Sequence, residues 1–289
     1  MTRRFLVVLT LLGIVASGCS LGPREDWAKS MRNARDTAAK IGGAHVHVTV
    51  SLAVIQTTIR VVPSPLFTSM DGVVNFKDRT NKVSATGAGS TKASDVFYDD
   101  LVTYLPRSPG SIADHNGNMH WARYDFRNKP KPDKIDANDK LISLGYVIAP
   151  SLAVDLLKGV LAGSLKQLGT SQIEGDTVTE YAGKLAPDAA TRDLREQPRV
   201  DGITRMFKII GVSTDIFPIH VWMDSNGLVR RVELALKQQE DVVDSFRTTV
   251  DYTFTKFGPP TTVLVPSRSD CLGHKRFVDF ADEYTRASV

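Results

Sequence analysis

The sequence predicts an α+β protein: a long antiparallel meander of strands with helices inserted near its middle. Three observations predict it. Short stretches of alternating apolar and polar residues, separated by turn-forming residues, recur from Val46 to Phe257, as half-buried strands require. Between 141 and 211 the spacing changes to helical apolar stripes. No fixed-period repeat or long linker divides the chain, so residues 25–289 are expected to form one domain. Antiparallel sheets usually bury one face and wet the other. Two apolar helices arriving as one block are therefore expected to lie across the sheet's concave face.

Each element follows from local pattern. Trp27, Met31, Ala34, Ala38 and Ile41 fall at spacings of four and three, one stripe of a helix that Gly42-Gly43 ends. Val46, Val48, Val50, Leu52 and Val54 then alternate with His45, His47, Thr49 and Ser51, which is a half-buried strand. The apolar parity shifts at Ile55, Ile59 and Val61, so a turn or bulge is expected near Ala53–Ile55. From Leu66 to Phe126 the reading is short strands punctuated at Asp71-Gly72, Gly87–Ser90, Asp99-Asp100 and 115–118. The stretch "MHWARYDF" (119–126) is one strand, and 127–140 reads as a solvated loop. Pro150-Ser151 marks a helix start within 141–168, where Leu152, Leu156, Val160 with Leu161, and Leu165 make a stripe. A hairpin over 171–185 turns at Glu174-Gly175-Asp176. Residues 187–211 read as two helical pieces broken at Pro198, the second carrying Ile203, Met206, Phe207 and Ile210. Strands are expected at 216–224, 228–236 and 246–257, then coil over 258–272 and a short helix at 277–284.

The first twenty residues give the address. Arg3 and Arg4 precede an apolar run from Phe5 to Val15, and Ala16, Ser17 and Gly18 lead to Cys19. A spanning helix needs about 20 apolar residues, so the shorter run reads as a secretory signal, residues 1–18. Ala-Ser-Gly-Cys resembles the lipobox of bacterial lipoproteins, with Ala16 where Leu or Val is commoner. That likeness implies acylation of Cys19, cleavage before it, a tether over 19–24, and a protein held at the extracytoplasmic face of the cell membrane. Two or more acyl chains anchor stably, whereas one binds marginally.

Composition narrows the function classes. Loss of residues 1–18 removes Arg3 and Arg4 and no acid, so the formal charge falls by two from +4. No basic run with interleaved aromatics remains, and nucleic-acid binding is not expected. The chain has two cysteines. With Cys19 acylated, Cys271 has no intrachain partner, so the core must hold this exported domain without a disulfide.

The order of lipobox, N-terminal helix, meander, proline-started apolar helix, "EGDTVTEYAGKL", second helix, "FPIHVWMDSNGLVRRVELAL" and "TTVDYTFTKFGPP" resembles the LppX/LprG type of actinobacterial lipoprotein. These proteins are similar in shape to the LolA lipoprotein carrier. The resemblance covers most of 25–257. It implies a strongly curved antiparallel β half-barrel with helices packed across its concave face. It further implies a function in binding lipids or lipoglycans and moving them between envelope layers, with an envelope transporter as a further partner. No catalytic motif comes with it, and only Cys19 carries over residue by residue. The extension 258–289 matches nothing in the family. On this reading acyl chains are lined by Val48, Val50, Leu152, Leu156, Val160, Leu161, Phe207, Ile210, Val232 and Leu234. The alternative is an envelope scaffold or partner of a sensor or transporter, without lipid cargo.

Other chemistry finds little support. Gly-x-Ser-x-Gly is absent, and "GAGSTK" (87–92) lacks phosphate-loop spacing. His45 and His47 share one strand face, but no third metal ligand can be placed, so no metal or cofactor is expected. Nothing near Cys271 argues for an activated thiol. An enzyme is not expected.

Overall fold

The computed structural model describes residues 24–56, 67–87, 93–107, 119–127, 148–192, 194, 196–209, 216–239 and 245–274. The chain opens with α1 (Arg24–Arg32) and α2 (Ala34–Ile41), two helices parted at Asn33. The predicted stripe survives the break: Met31, Ala34 and Ala38 are buried, joined by Ala28, while Ile41 is exposed. Strands β1 (Gly43–Gln56), β2 (Ser69–Asn75), β3 (Thr80–Thr86), β4 (Ala93–Asp99), β5 (Val102–Pro106) and β6 (Trp121–Asp125) follow as a meander. Then come the short helix α3 (Pro150–Asp155) and two 3₁₀ turns, Leu156–Gly159 and Ala162–Ser164. Strands β7 (Lys166–Ile173) and β8 (Asp176–Leu185) form the expected hairpin. Its turn has positive φ at both Glu174 (49°) and Gly175 (87°), which matches the right-handed twist of the paired strands.

Helices α4 (Pro187–Thr191) and α5 (Gln197–Ile209) precede β9 (Phe217–Asp224), β10 (Val229–Gln239) and β11 (Ser245–Gly258). A last short strand, β12 (Cys271–Gly273), adds to the edge. One open sheet contains them in the order β12-β6-β5-β4-β3-β2-β1-β11-β10-β9-β8-β7. Every neighbouring pair is antiparallel except β12 with β6. The bulge expected near Ala53–Ile55 is present: Val54 faces Phe246 and Gln56 faces Ser245, leaving Ile55 unpaired.

The sheet is curved around its helices. Helix α3 touches β2, β3 and β10. Strands β3 and β10 are four positions apart in the sheet, about 19 Å if it were flat, whereas six helical residues span only about 9 Å. The sheet must bend to bring both strands to so short a helix.

Four expectations need correction. The apolar stretch 148–168 is not one helix: α3 ends at Asp155. A Cβ on Gly159 would sit 2.3 Å from Ala186 O, Val160 bridges to Leu185, and Leu161 N donates to Lys184 O at 3.0 Å. Those bonds draw the chain onto the rim of β8. Asp71-Gly72 is not a turn but the middle of β2, where a Cβ on Gly72 would meet Lys82 O of β3 at 2.1 Å. The turn lies at Phe76–Arg79, where Asp78 N donates to Asn75 Oδ1 (3.0 Å). Pro198 lies in the first turn of α5 instead of breaking a helix, where a missing N–H is harmless. The tail is not coil through 272, since Cys271–Gly273 pairs in parallel with β6. The turn residues 88–90 and 115–118, the loop 128–140, and Ile59, Val61 and the helix expected at 277–284 lie outside the described residues.

Candidate functional site

The inner face is built from rows that cross the sheet. Val48 of β1 lies opposite Tyr252 of β11, which lies opposite Val232 of β10. In the next row Val50, Val250 and Leu234 are aligned the same way. All six are buried. Four of the predicted lining residues therefore fall on two adjacent rows at the centre of the sheet. Over these rows come the helical segments, carrying Leu152 on α3, Leu156 and Val160 on the turns that follow, and Phe207 on α5. All four are buried in the same apolar cluster as the rows beneath them. Phe207 also meets Phe217 of β9, with ring centroids 6.0 Å apart. The hydroxyl of Tyr252 donates to Ile148 O (2.9 Å) and ties the lead-in of α3 to the middle of the sheet. Leu161 is only half-buried, and Ile210 and Cys19 lie outside the described residues.

Charge closes one end of this apolar layer, which no sequence motif announced. Asp155, the last residue of α3, is 5% exposed and lies among three arginines. Arg199 Nη2 donates to its Oδ2 at 2.6 Å, Arg79 Nε donates to the same atom at 3.2 Å, and Arg35 Nε lies 3.4 Å from Oδ1. Arg199 Nε is also 3.1 Å from both oxygens of Asp100. Burial works to lower the Arg199 pKa, but Asp100 and Asp155 outweigh it and raise the value. Asn81 and Ser151 complete the join, Ser151 N donating to Asn81 Oδ1 (3.2 Å) and Asn81 Nδ2 to Ser151 Oγ (3.0 Å). The network ties α2, α3, α5 and the β2–β3 and β4–β5 turns together. The one sequence signal was Asp155 itself, an acid inside an otherwise apolar helix.

The outer face carries a second cluster. Phe97, Val102, Tyr104 and Cys271 are buried there against Trp121, Val263 and Val265. Residues 259–270 cross this face as a strap from β11 to the far edge. Seven strand spacings, about 34 Å, are within reach of that many extended residues. The Cys271 thiol donates to Ser267 O at 3.0 Å. Burial, with Asp270 adding to it, pushes its pKa up to about 11, which keeps it protonated at neutral pH. Beside this cluster burial raises the pKa of Asp99. At Asp125 burial also acts upward, but hydrogen bonds from Arg127 and the charges of Arg127 and Arg123 hold the value below the usual one.

The histidine pair on β1 is accounted for in part: His47 Nδ1 lies 2.9 Å from Asp71 Oδ2 on β2. Among the described residues no cluster of three His, Cys, Asp or Glu is placed to hold a metal. No described helix is long and apolar enough to cross a membrane.

No protein-family model matches the chain, and no curated protein matches it. Among solved structures it is similar to the Mycobacterium tuberculosis lipoprotein LppX, at 15% identity over 83% of this chain and 99% of that one, with a TM-score of 0.43. LprF from Mycobacterium bovis matches at 14% identity over 85% and 99%, TM-score 0.40. A putative outer membrane lipoprotein-sorting protein domain from Vibrio parahaemolyticus matches at 10% identity over 89% and 99%, TM-score 0.26. In chain path, then, the protein is similar to mycobacterial lipoproteins of the LppX and LprF type, a likeness of fold at low sequence identity.

Proposed function

We propose that this protein is an envelope lipoprotein, cut before Cys19 and held at the extracytoplasmic membrane face by acyl chains on it. There it takes lipid acyl chains between the sheet's inner face and the overlying helical segments, and carries lipids or lipoglycans between envelope layers. Residues 25–289 act as one domain. The observation that carries this reading is the apolar layer itself. The rows Val48–Tyr252–Val232 and Val50–Val250–Leu234 lie beneath Leu152, Leu156, Val160 and Phe207 in one cluster. Charged groups gather at one end of it, around Asp155.

The energetics suit a carrier. Each methylene removed from water is worth about 0.8 kcal/mol. The competing environment for an acyl chain is a bilayer, which is equally apolar. Exchange between bilayer and protein is then nearly neutral, and loading and release are both possible. Anchoring through Cys19 would keep the site close to its donor membrane and raise the effective concentration.

Native mass spectrometry of protein purified without detergent tests the reading. Acyl-chain mass bound in stoichiometric amount is the expected result. Its absence, in protein from a host with a lipid-rich envelope, would overturn it. One observation favours a second reading, an interaction lipoprotein without cargo. Strand β7 is an open edge whose residues are mostly exposed, and such an edge can accept a partner strand. A stable stoichiometric partner recovered with cargo-free protein would favour that reading.

A further inference from the structure

The two edges of the sheet are unlike. At one, β12 is three residues long, and so short an edge offers little to another strand. At the other, β7 runs for eight residues, Lys166–Ile173, six of them exposed. It contains no proline, and Lys166 is its one charge. The segments that enter and leave it, 162–165 and the Glu174-Gly175 turn, are both described. Among the described residues nothing besides β8 hydrogen-bonds to its backbone.

Register shows which groups this edge offers. The β7–β8 hairpin closes on the pair Ile173 and Asp176, which exchange both backbone bonds across a two-residue turn. Alternation then turns the N–H and C=O of Gln172 and Thr170 away from β8. Thr170 is midway between Lys166 and Glu174, the only two charges from 166 to 175. Both are exposed. An antiparallel copy of β7 centred on Thr170 would exchange both bonds between the two Thr170 residues. It would also set the Lys166 end of each strand beside the Glu174 end of the other, whereas a parallel copy would set lysine beside lysine. The bulge at Leu168 falls between Lys166 and this centre and leaves 169–173 regular.

We propose that β7 pairs antiparallel with β7 of a second copy of this chain, across a two-fold axis at Thr170. This gives an occupant to the open edge of the interaction reading, and it requires neither cargo nor its absence. Directly opposed residues of antiparallel strands share a face, so the axis runs through the sheet and both concave faces open on the same side. α1 packs on that side: Trp27 meets Tyr181 with ring centroids 5.3 Å apart, and the helix rests on Ala162–Ser164, just ahead of β7. Cys19 is five residues before Arg24, a reach of about 18 Å at most. Both anchors can then enter one membrane. A single strand pair is small beside the roughly 1,200–2,000 Å² of stable complexes. Pairing is therefore weak in dilute solution and gains from confinement of acylated copies to one surface.

Oxidative cross-linking tests this, because it traps each weak pair as it forms. The protein is residues 19–289 with Cys19→Ala, at high concentration, and its buried Cys271 sets the background. Thr170→Cys should give a reducible dimer of whole chains, well above the yield of Ser84→Cys, an exposed residue of β3. Adding Lys166→Glu brings like charges together at both ends and should lower the yield about tenfold. Glu174→Lys should do the same, and the two together should restore the yield, all with unchanged thermal unfolding. A yield no higher than with Ser84→Cys, charge swaps without effect, or no restoration by the double swap in folded protein would overturn the pairing. Bound acyl-chain mass is measured on the same protein, so failure of the pairing and failure of the cargo reading are seen separately.

Discussion

Asp155 illustrates how much one side chain can hold. Its carboxylate is the shared partner of Arg199 and Arg79, with Arg35 close by, and Arg199 is itself 4% exposed. Removing one member of a buried ion pair leaves the others uncompensated, at a cost of about 3–5 kcal/mol. Asp155→Asn is expected to lose that much in urea unfolding, and a loss under about 1 kcal/mol would show that the network is not a clasp. Asp99 acts in the opposite sense. Burial raises its pKa in the folded protein, so the folded state binds the proton more tightly than the unfolded chain. Its contribution to stability is present below the ordinary carboxylate range and is lost as pH rises through the raised value. Asp99→Asn should therefore raise the melting temperature at pH 7 and leave it nearly unchanged near pH 3. A melting temperature lowered at pH 7 would contradict this. Neither residue stood out as a motif. Asp99 reads as turn punctuation, and its burial depends on neighbours brought from β6.

At the level of elements, what could be read from the chain was whatever local pattern decides. The β1 alternation, the Glu174-Gly175 hairpin and the strands β9 to β11 all depend on neighbours in sequence, and all are present. Failures came where a distant segment decides. Gly72 looks like a turn residue because Asp-Gly usually is one, yet it is a glycine so that the backbone of β3 can approach. The helix expected through Leu168 stops early because Lys184 and Leu185 offer the chain a sheet edge. The tail strap was invisible for the same reason. Val263 and Val265 have no local pattern, and their partners Phe97 and Trp121 are far away in sequence. The strap gives a direct prediction. Cys271 should label slowly with a thiol reagent at pH 8 in folded protein, and Val265→Asp should speed labelling severalfold by loosening the seal. Equal rates in the two proteins would show that the strap does not cover the thiol.

For the molecule as a whole, the order of parts was more legible than their meeting places. Four of the proposed lining residues converge on two central rows, which period-two alternation could suggest but not align. The charged closure around Asp155, drawn from α2, α3, α5 and two strand turns, is a product of topology. One topological feature has consequences beyond binding. β1 and β11, fourteen residues each, are partners, so Val50 must wait for Val250. While the chain emerges amino end first during synthesis, the meander from β1 to β6 can assemble with β1 as a naked edge. That edge stays open to strangers until nearly the whole polypeptide has emerged. Nascent copies are thus most vulnerable to pairing with one another before β11 has emerged, and crowding at that stage should harm them more than it harms the finished protein.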